Sequence, residues 1–312
     1  MNKKIVSCFL CVITAMFSSC SVSGTKQSDR WSASMEGLKD SLESIAGEYP
    51  GEIGVALLTD CGDTVVVNDE DKYPLMSVFK LHQSISICHL FELCGTTTDT
   101  IVGIGREQLN PDTWSPMLKD YNGDSISISV GELIRYALIQ SDNNASNYLF
   151  ENIESVADAD CFISTLIPRE TFRLAVTESD MWSNHALCYE NHSSPLGAAC
   201  LMNRLFTDSI ISTRNRDFIC TALRECKTGT DRIVEPLVDK KGVTVAHKTG
   251  SGFRDEHGIL SAHNDVAFVE LPDGRHYTLA VLVKDFNGSE KQAAQAISRI
   301  SAVVYSVLVE NY

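Results

Sequence analysis

Three short motifs stand in order along the chain: Ser77-Val78-Phe79-Lys80, Ser141-Asp142-Asn143 and Lys248-Thr249-Gly250. Together they supply a hydroxyl nucleophile, groups that carry protons and a cation that can receive an anion. The set suits acyl transfer through a serine ester. Each motif alone is common, and the chain holds decoys. Ser23-Gly24-Thr25-Lys26 repeats the first pattern and Lys227-Thr228-Gly229 the third. Local context selects the working copies.

Pro74 favours an extended or turn conformation, and 78–90 reads as a helix. Ser77 then lies at a helix start, where free N–H groups and the helix dipole favour developing negative charge. Lys80 follows one turn later on the same face. Ser141-Asp142-Asn143 follows the amphipathic run 131–139, where one helix ends and another begins; all three residue types also serve as simple caps there. Lys248-Thr249-Gly250 closes a strand predicted over 243–249, so its lysine and hydroxyl can meet a carboxylate. The Ser23 copy falls in a Ser-rich stretch with no scaffold. The Lys227 copy follows a helical run rather than a strand and is set aside as the anion site.

The elements that must position these motifs come from both chain ends. A helix is predicted over 36–48, strands over 52–59 and 63–68, further strands over 262–271 and 276–284, and a closing helix over 293–309. Pro272-Asp273-Gly274 marks the hairpin between the last two strands. The middle, about 76–225, reads as helical, with 195–205 a second clear helix. An α/β fold of the α+β sandwich kind is expected: an antiparallel sheet built from both ends and flanked by helices, with an inserted all-helical lobe. The sheet lobe would take about 35–75 and 226–312.

The chain has 312 residues, 44% of them hydrophobic, enough for one large domain with a sizeable core. Its formal net charge of −15 argues against nucleic acid as a partner. Lys3 and Lys4 followed by apolar residues 5–17 read as a signal peptide over 1–19. Small residues before Cys20 resemble a lipoprotein cleavage box, so a lipid anchor at Cys20, a flexible tether over 20–34 and a periplasmic location are expected. Besides Cys8 and Cys11 in the leader and Cys20, the cysteines are Cys61, Cys88, Cys94, Cys161, Cys188, Cys200, Cys220 and Cys226. Export makes disulfides possible, but their connectivity is not legible. No paired Cys-x-x-Cys spacing marks a zinc site, and no metal or cofactor is expected.

With their order and spacing, the three motifs resemble those of class A serine β-lactamases. The tracts Pro74-Leu75-Met76-Ser77, Thr113-Trp114-Ser115-Pro116-Met117, Ser141-Asp142-Asn143-Asn144-Ala145-Ser146-Asn147, His247-Lys248-Thr249-Gly250-Ser251-Gly252 and Asn264-Asp265-Val266-Ala267-Phe268 resemble the branch found in Bacteroides-type bacteria. The resemblance implies hydrolysis of cephalosporins and penicillins by a monomer. It makes Ser77 the nucleophile, Lys80 its activator and Ser141 the proton donor to the leaving nitrogen. Asn143 would hold the substrate side-chain amide. Lys248 and Thr249 would bind the substrate carboxylate, the N–H groups of Ser77 and Ser251 would form the oxyanion hole, and Trp114 would border the site.

Two positions depart from the family pattern. The water-activating carboxylate matches Glu178 in Val176-Thr177-Glu178-Ser179-Asp180-Met181, but Trp182 stands where an asparagine usually helps hold the water. Glu170 and Asp180 are the other candidate bases. The carboxylate-binding arginine usual after the third motif is replaced by His257, whereas Thr228-Gly229-Thr230-Asp231-Arg232 matches an alternative source, making Arg232 the candidate. A D-alanyl-D-alanine carboxypeptidase or transpeptidase, or a β-lactam-binding lipoprotein that acylates and stops, would share the trio. Glu178 separates hydrolysis from both.

Overall fold

The computed structural model describes residues 22–70 and 72–310, with the side chains of the first helix described from Ser34 onward. The segment 1–19 expected to be a signal peptide, and Cys20, lie outside the described residues. The first helix runs Val22–Gly47. Residues 22–33, read as part of a flexible tether, are instead its opening turns. The segment contains no proline, and extending a docked helix needs no new nucleus.

A five-stranded antiparallel sheet forms from both ends of the chain. Its order is Thr64–Val67, Glu52–Thr59, His276–Phe286, Leu260–Glu270 and Thr244–Ser251. The central strands are buried along most of their length because both faces are covered, and alternate side chains go to opposite sides. Ala56, Val266, Phe268, Ala280 and Leu282 face the helical middle, packing with Phe79, Leu133, Leu149 and Leu201. Val55, Leu57, Val269, Leu279, Val281 and Val283 face the terminal helices through Leu38, Leu42, Ile297, Ile300 and Val304. Fully burying each such aliphatic side chain contributes about 1.5–3 kcal/mol.

The middle is mostly helical but not wholly so. The helices Phe79–Leu93, Val130–Ile139, Asn143–Asn152, Pro195–Thr207 and Thr213–Arg224 dominate it. A two-stranded ribbon, Ile101–Gly105 against Ser125–Ser129, interrupts them. Ser125-Ile126-Ser127-Ile128-Ser129 alternates strictly, burying Ile126 and Ile128 and exposing the flank, which is the two-residue period of a strand. Capping side chains set several helix starts. Ser129 accepts from the Glu132 N–H in a reciprocal capping box, and Ser194 caps the helix that begins at Pro195.

Candidate active site

Ser77 sits in a single helical turn, Met76–Val78, that feeds the helix Phe79–Leu93. Met76 has φ +46°, a left-handed conformation uncommon outside glycine. Neighbours hold the turn there. The Leu75 N–H donates to the Asn191 carbonyl at 2.8 Å. The buried Asn264 side chain donates to the carbonyls of Pro74 at 2.7 Å and Leu75 at 3.2 Å. Gly250 lies against the same turn, where a Cβ would come within 2.4 Å of the Leu75 carbonyl oxygen. The third motif therefore needs its glycine for strand-to-turn contact.

Lys80 is fully buried. Its Nζ lies 2.9 Å from Ser77 Oγ, 2.9 Å from the Ser141 carbonyl, 2.6 Å from Asn143 Oδ1 and 2.8 Å from Glu178 Oε1. An ammonium has three N–H donors, so four partners must share them. Ser77 Oγ also reaches Glu178 Oε1 at 3.0 Å. Ser77 Oγ is thus bracketed by a lysine and a carboxylate that pair with each other.

Ser141 adopts φ +58° between two helices. Asp142 is fully buried and caps the next helix, accepting from the Ala145 N–H at 2.9 Å, the Met117 N–H at 2.8 Å and the Ser115 hydroxyl. Burial raises its carboxyl above the ordinary range, against these hydrogen bonds. The cap fastens the tract 113–117 to the motif. Asn143 completes the attachment: its N–H donates to the Trp114 carbonyl at 3.0 Å and its Nδ2 to Thr113 Oγ1 at 2.9 Å. The second Nδ2 hydrogen is what a substrate amide could meet. Trp114 donates Nε1 to the Gln140 carbonyl, yet its residue is 57% exposed. It stands at the rim of the site.

The strand Thr244–Ser251 brings Lys248 across the cleft. Its Nζ donates to Ser141 Oγ at 3.1 Å and to the Thr249 carbonyl at 2.9 Å. Complete burial, with the Lys80 charge nearby, pulls the Lys248 ammonium down to about 7, although Cys226 and Glu178 oppose the shift. Thr249 Oγ1 lies 2.6 Å from Thr228 Oγ1. Arg232 is buried behind the strand. It donates Nη1 to the Gly250 and Asn264 carbonyls at 3.0 and 2.6 Å and Nη2 to Ser251 Oγ at 2.6 Å. The Lys227-Thr228-Gly229 copy thus adjoins the site as its support. Gly229 has φ +61°, and a Cβ there would meet Thr249 at 2.5 Å. His257 lies exposed in the following loop, away from this arrangement.

Glu178 opens the short helix Glu178–Ser183, capped by Thr177 with Asp180. The exposed Asp180 carboxylate is occupied by the N–H and hydroxyl of Thr177, both at 2.8 Å. Glu170 is exposed in the turn Arg169–Thr171. Of the three candidate bases, Glu178 is the one held against Ser77. The Trp182 ring meets His185 edge-on, and His185 stacks on Phe253 at 3.8 Å between ring centres. Residues to which the sequence assigned no role complete the loop. Asn147 Oδ1 accepts the Ser179 N–H at 3.0 Å, and Asn191 Oδ1 accepts those of Ala175 and Val176. Both asparagines are buried polar residues, a property no motif announces.

A serine on a helix-start turn, a buried lysine beside it and a second lysine on the facing edge strand define a penicillin-recognising serine enzyme. Residues 37–308 match the β-lactamase enzyme family, and the chain belongs to that family, within class A. It is 52% identical to a β-lactamase of Phocaeicola vulgatus over 97% of this chain and 94% of that protein. It is 31% identical to the extended-spectrum β-lactamase PER-1 of Pseudomonas aeruginosa over 86% of each chain. The crystal structure of a class A β-lactamase from Bacteroides cellulosilyticus superposes with a TM-score of 0.83 at 30% identity, covering 89% of this chain and 99% of that one.

Proposed function

We propose that the chain hydrolyses β-lactam antibiotics, cephalosporins and penicillins alike, through an ester on Ser77, and so confers resistance. The observation that carries this reading is the bracketing of Ser77 Oγ by Lys80 Nζ at 2.9 Å and Glu178 Oε1 at 3.0 Å. A base within hydrogen-bond reach can take the serine proton as Oγ attacks the lactam carbonyl. The N–H groups of Ser77 and Ser251 receive the oxyanion. Ser141, tied to Lys248, passes a proton to the leaving nitrogen. Lys248 and Thr249 bind the substrate carboxylate, with Arg232 adding its positive charge from behind the strand, Asn143 binds the side-chain amide, and Trp114 borders the site. Glu178 then removes a proton from the water that cleaves the ester. Likeness to an extended-spectrum relative supports bulky cephalosporins as substrates.

The test mixes the purified protein with a chromogenic cephalosporin and follows turnover and intact mass together. Sustained hydrolysis that disappears in Ser77→Ala supports the reading. A stable single adduct on the unaltered protein would overturn it in favour of a transpeptidase or a binding protein. We also propose export, a lipid anchor at Cys20 and action as a periplasmic monomer, on the signal-like residues before Cys20 and the family resemblance. Radiolabelled palmitate incorporation that persists in Cys20→Ser would exclude the anchor, and a dimer in sedimentation would exclude the monomer.

A further inference from the structure

Cys88, Cys188 and Cys220 are buried thiols among apolar neighbours, and burial pushes each above its ordinary value. Cys226 is different in kind. It is partly exposed, at the end of the helix Thr213–Arg224, directly behind the Lys248 strand. Its Sγ lies 3.4 Å from Thr228 Oγ1, and the His247 imidazole is near enough to act on the sulfur. His247 is buried, and its Nδ1 lies 2.9 Å from Asp265 Oδ1. Asp265 is itself fixed, accepting the Ile233 N–H at 3.1 Å. Strand alternation explains the grouping. His247 and Thr249 point to one side of the strand, while Lys248 points to the other, toward Ser141. The result is a Cys–His–Asp chain against the back of the carboxylate-binding strand.

We propose that Cys226 is a reactive thiolate and a modification site, at which a small soft electrophile adds to sulfur and weakens binding at the Lys248–Thr249 end of the cleft.

The charges around the sulfur favour this. His247 and Lys248 on the strand and Arg232 in the preceding turn act on it, whereas Asp265 lies beyond the imidazole. Burial would raise the thiol, but His247, Lys248 and the Thr228 hydroxyl outweigh it and bring Cys226 down to about 7. Burial would likewise lower His247, but Asp265 and Cys226 hold it up at about 10. The path to the site is short. Thr228 Oγ1 lies between Cys226 Sγ at 3.4 Å and Thr249 Oγ1 at 2.6 Å. A group added to the sulfur would crowd the Thr228 hydroxyl, and through it Thr249.

With iodoacetamide as the probe, the sulfur attacks the methylene carbon. The C–S bond forms, the C–I bond breaks, iodide leaves with the bonding pair, and His247 keeps its proton. The purified protein is treated at pH 6–9, and adducts are mapped peptide by peptide while a chromogenic cephalosporin reports KM and kcat. Cys226 labelling should rise with a midpoint near the value given above. Full labelling should raise KM by about tenfold, as loss of a hydrogen bond near a charged group does. Cys226→Ser should lose no further activity on treatment. His247→Asn should move the labelling midpoint up by about 1.5 pH units, toward an ordinary thiol. Should that variant fail to fold, the wild-type profile decides.

Absence of a Cys226 adduct, or a wild-type midpoint near an unperturbed thiol's, would overturn the thiolate. An adduct that leaves KM unchanged would overturn its coupling to the cleft. The coupling rests on the proposed role of Lys248 and Thr249, whereas the labelling does not. Untreated protein that fails to acylate at Ser77 would therefore refute the functional reading and leave the thiol result standing.

Discussion

Glu178→Gln separates the two halves of the reaction. The carboxylate oxygen Oε1 is 3.0 Å from Ser77 Oγ and 2.8 Å from Lys80 Nζ. Glutamine keeps the volume and one acceptor oxygen for Lys80 but cannot take a proton. A positioned general base is worth roughly 10²–10⁴ in rate, or about 3–5 kcal/mol of barrier. Deacylation should fall by that factor, whereas acylation keeps Lys80 beside the nucleophile. If the two steps are matched in the wild type, a hundredfold loss in the second leaves about 99% of the protein acylated at steady state, by the same rate arithmetic. Rapid-quench mass spectrometry with a chromogenic cephalosporin reads that fraction directly, on the peptide bearing Ser77. Removing the charge also weakens a buried ion pair, so a thermal melt must accompany the kinetics. A variant that turns over at the wild-type rate without accumulating adduct would refute Glu178 as the base. One that never acylates would place it in the first step.

Gly250→Ala pushes a methyl into the Leu75 carbonyl; displacing the nucleophile by about 1 Å should cost about 10² in kcat/KM, and unchanged kinetics would show that the strand yields instead of the turn. Asn264→Ala removes donors to Pro74 and Leu75 and the acceptor for the Val283 N–H; unfolding in urea should show a loss of about 2–4 kcal/mol, with a lower acylation rate even well below the melting temperature. A lowered stability with unaltered acylation would mean that the turn holds without it. Glu154, pushed up to about 7 chiefly by burial, contributes stability that is full below pH 4.5 and lost as pH rises through 7. Relative to the wild type, Glu154→Gln should therefore gain up to about 3 kcal/mol between pH 5 and pH 8, and a gap that narrows with pH would contradict the burial argument.

The elements with strong periodicity were legible without coordinates. The strands predicted over 52–59 and 276–284 are found at Glu52–Thr59 and His276–Phe286, and the closing helix extends only a few residues beyond expectation, over Glu290–Glu310. Both ends had clear two-residue or helical repeats and a hairpin turn between strands. The ribbon at 101–105 and 125–129 was hidden because two five-residue strands among helices carry little weight in a coarse reading. At the site, the motif residues were readable because their chemistry depends on side-chain type. Their supports were not. Asn147, Asn191 and Asn264 act through single amides on backbone groups distant in sequence, so even where Asn147 and Asn264 stand in recognisable tracts the sequence does not show what they hold. Cys226, His247 and Asp265 belong to one chain of contacts only because two strands and a turn converge behind Lys248.

Two residues of the site violate local preference, and they do so where the motifs begin. Met76 and Ser141 both adopt left-handed backbone without being glycine. Such conformations cost of order 1–3 kcal/mol each and persist only where surroundings over-determine them. Around Met76 the surroundings are Asn264, Asn191 and the close strand at Gly250. Around Ser141 they are the buried Asp142 cap and the two lysines, Lys80 on its carbonyl and Lys248 on its hydroxyl. Each lysine therefore performs two tasks that sequence reasoning treats separately. It holds a strained turn from one side and presents charge to the cleft from the other. That dual use explains why the three motifs must occur together. The first turn needs the third motif's glycine, the second needs both lysines, and neither serine is positioned by its own segment alone.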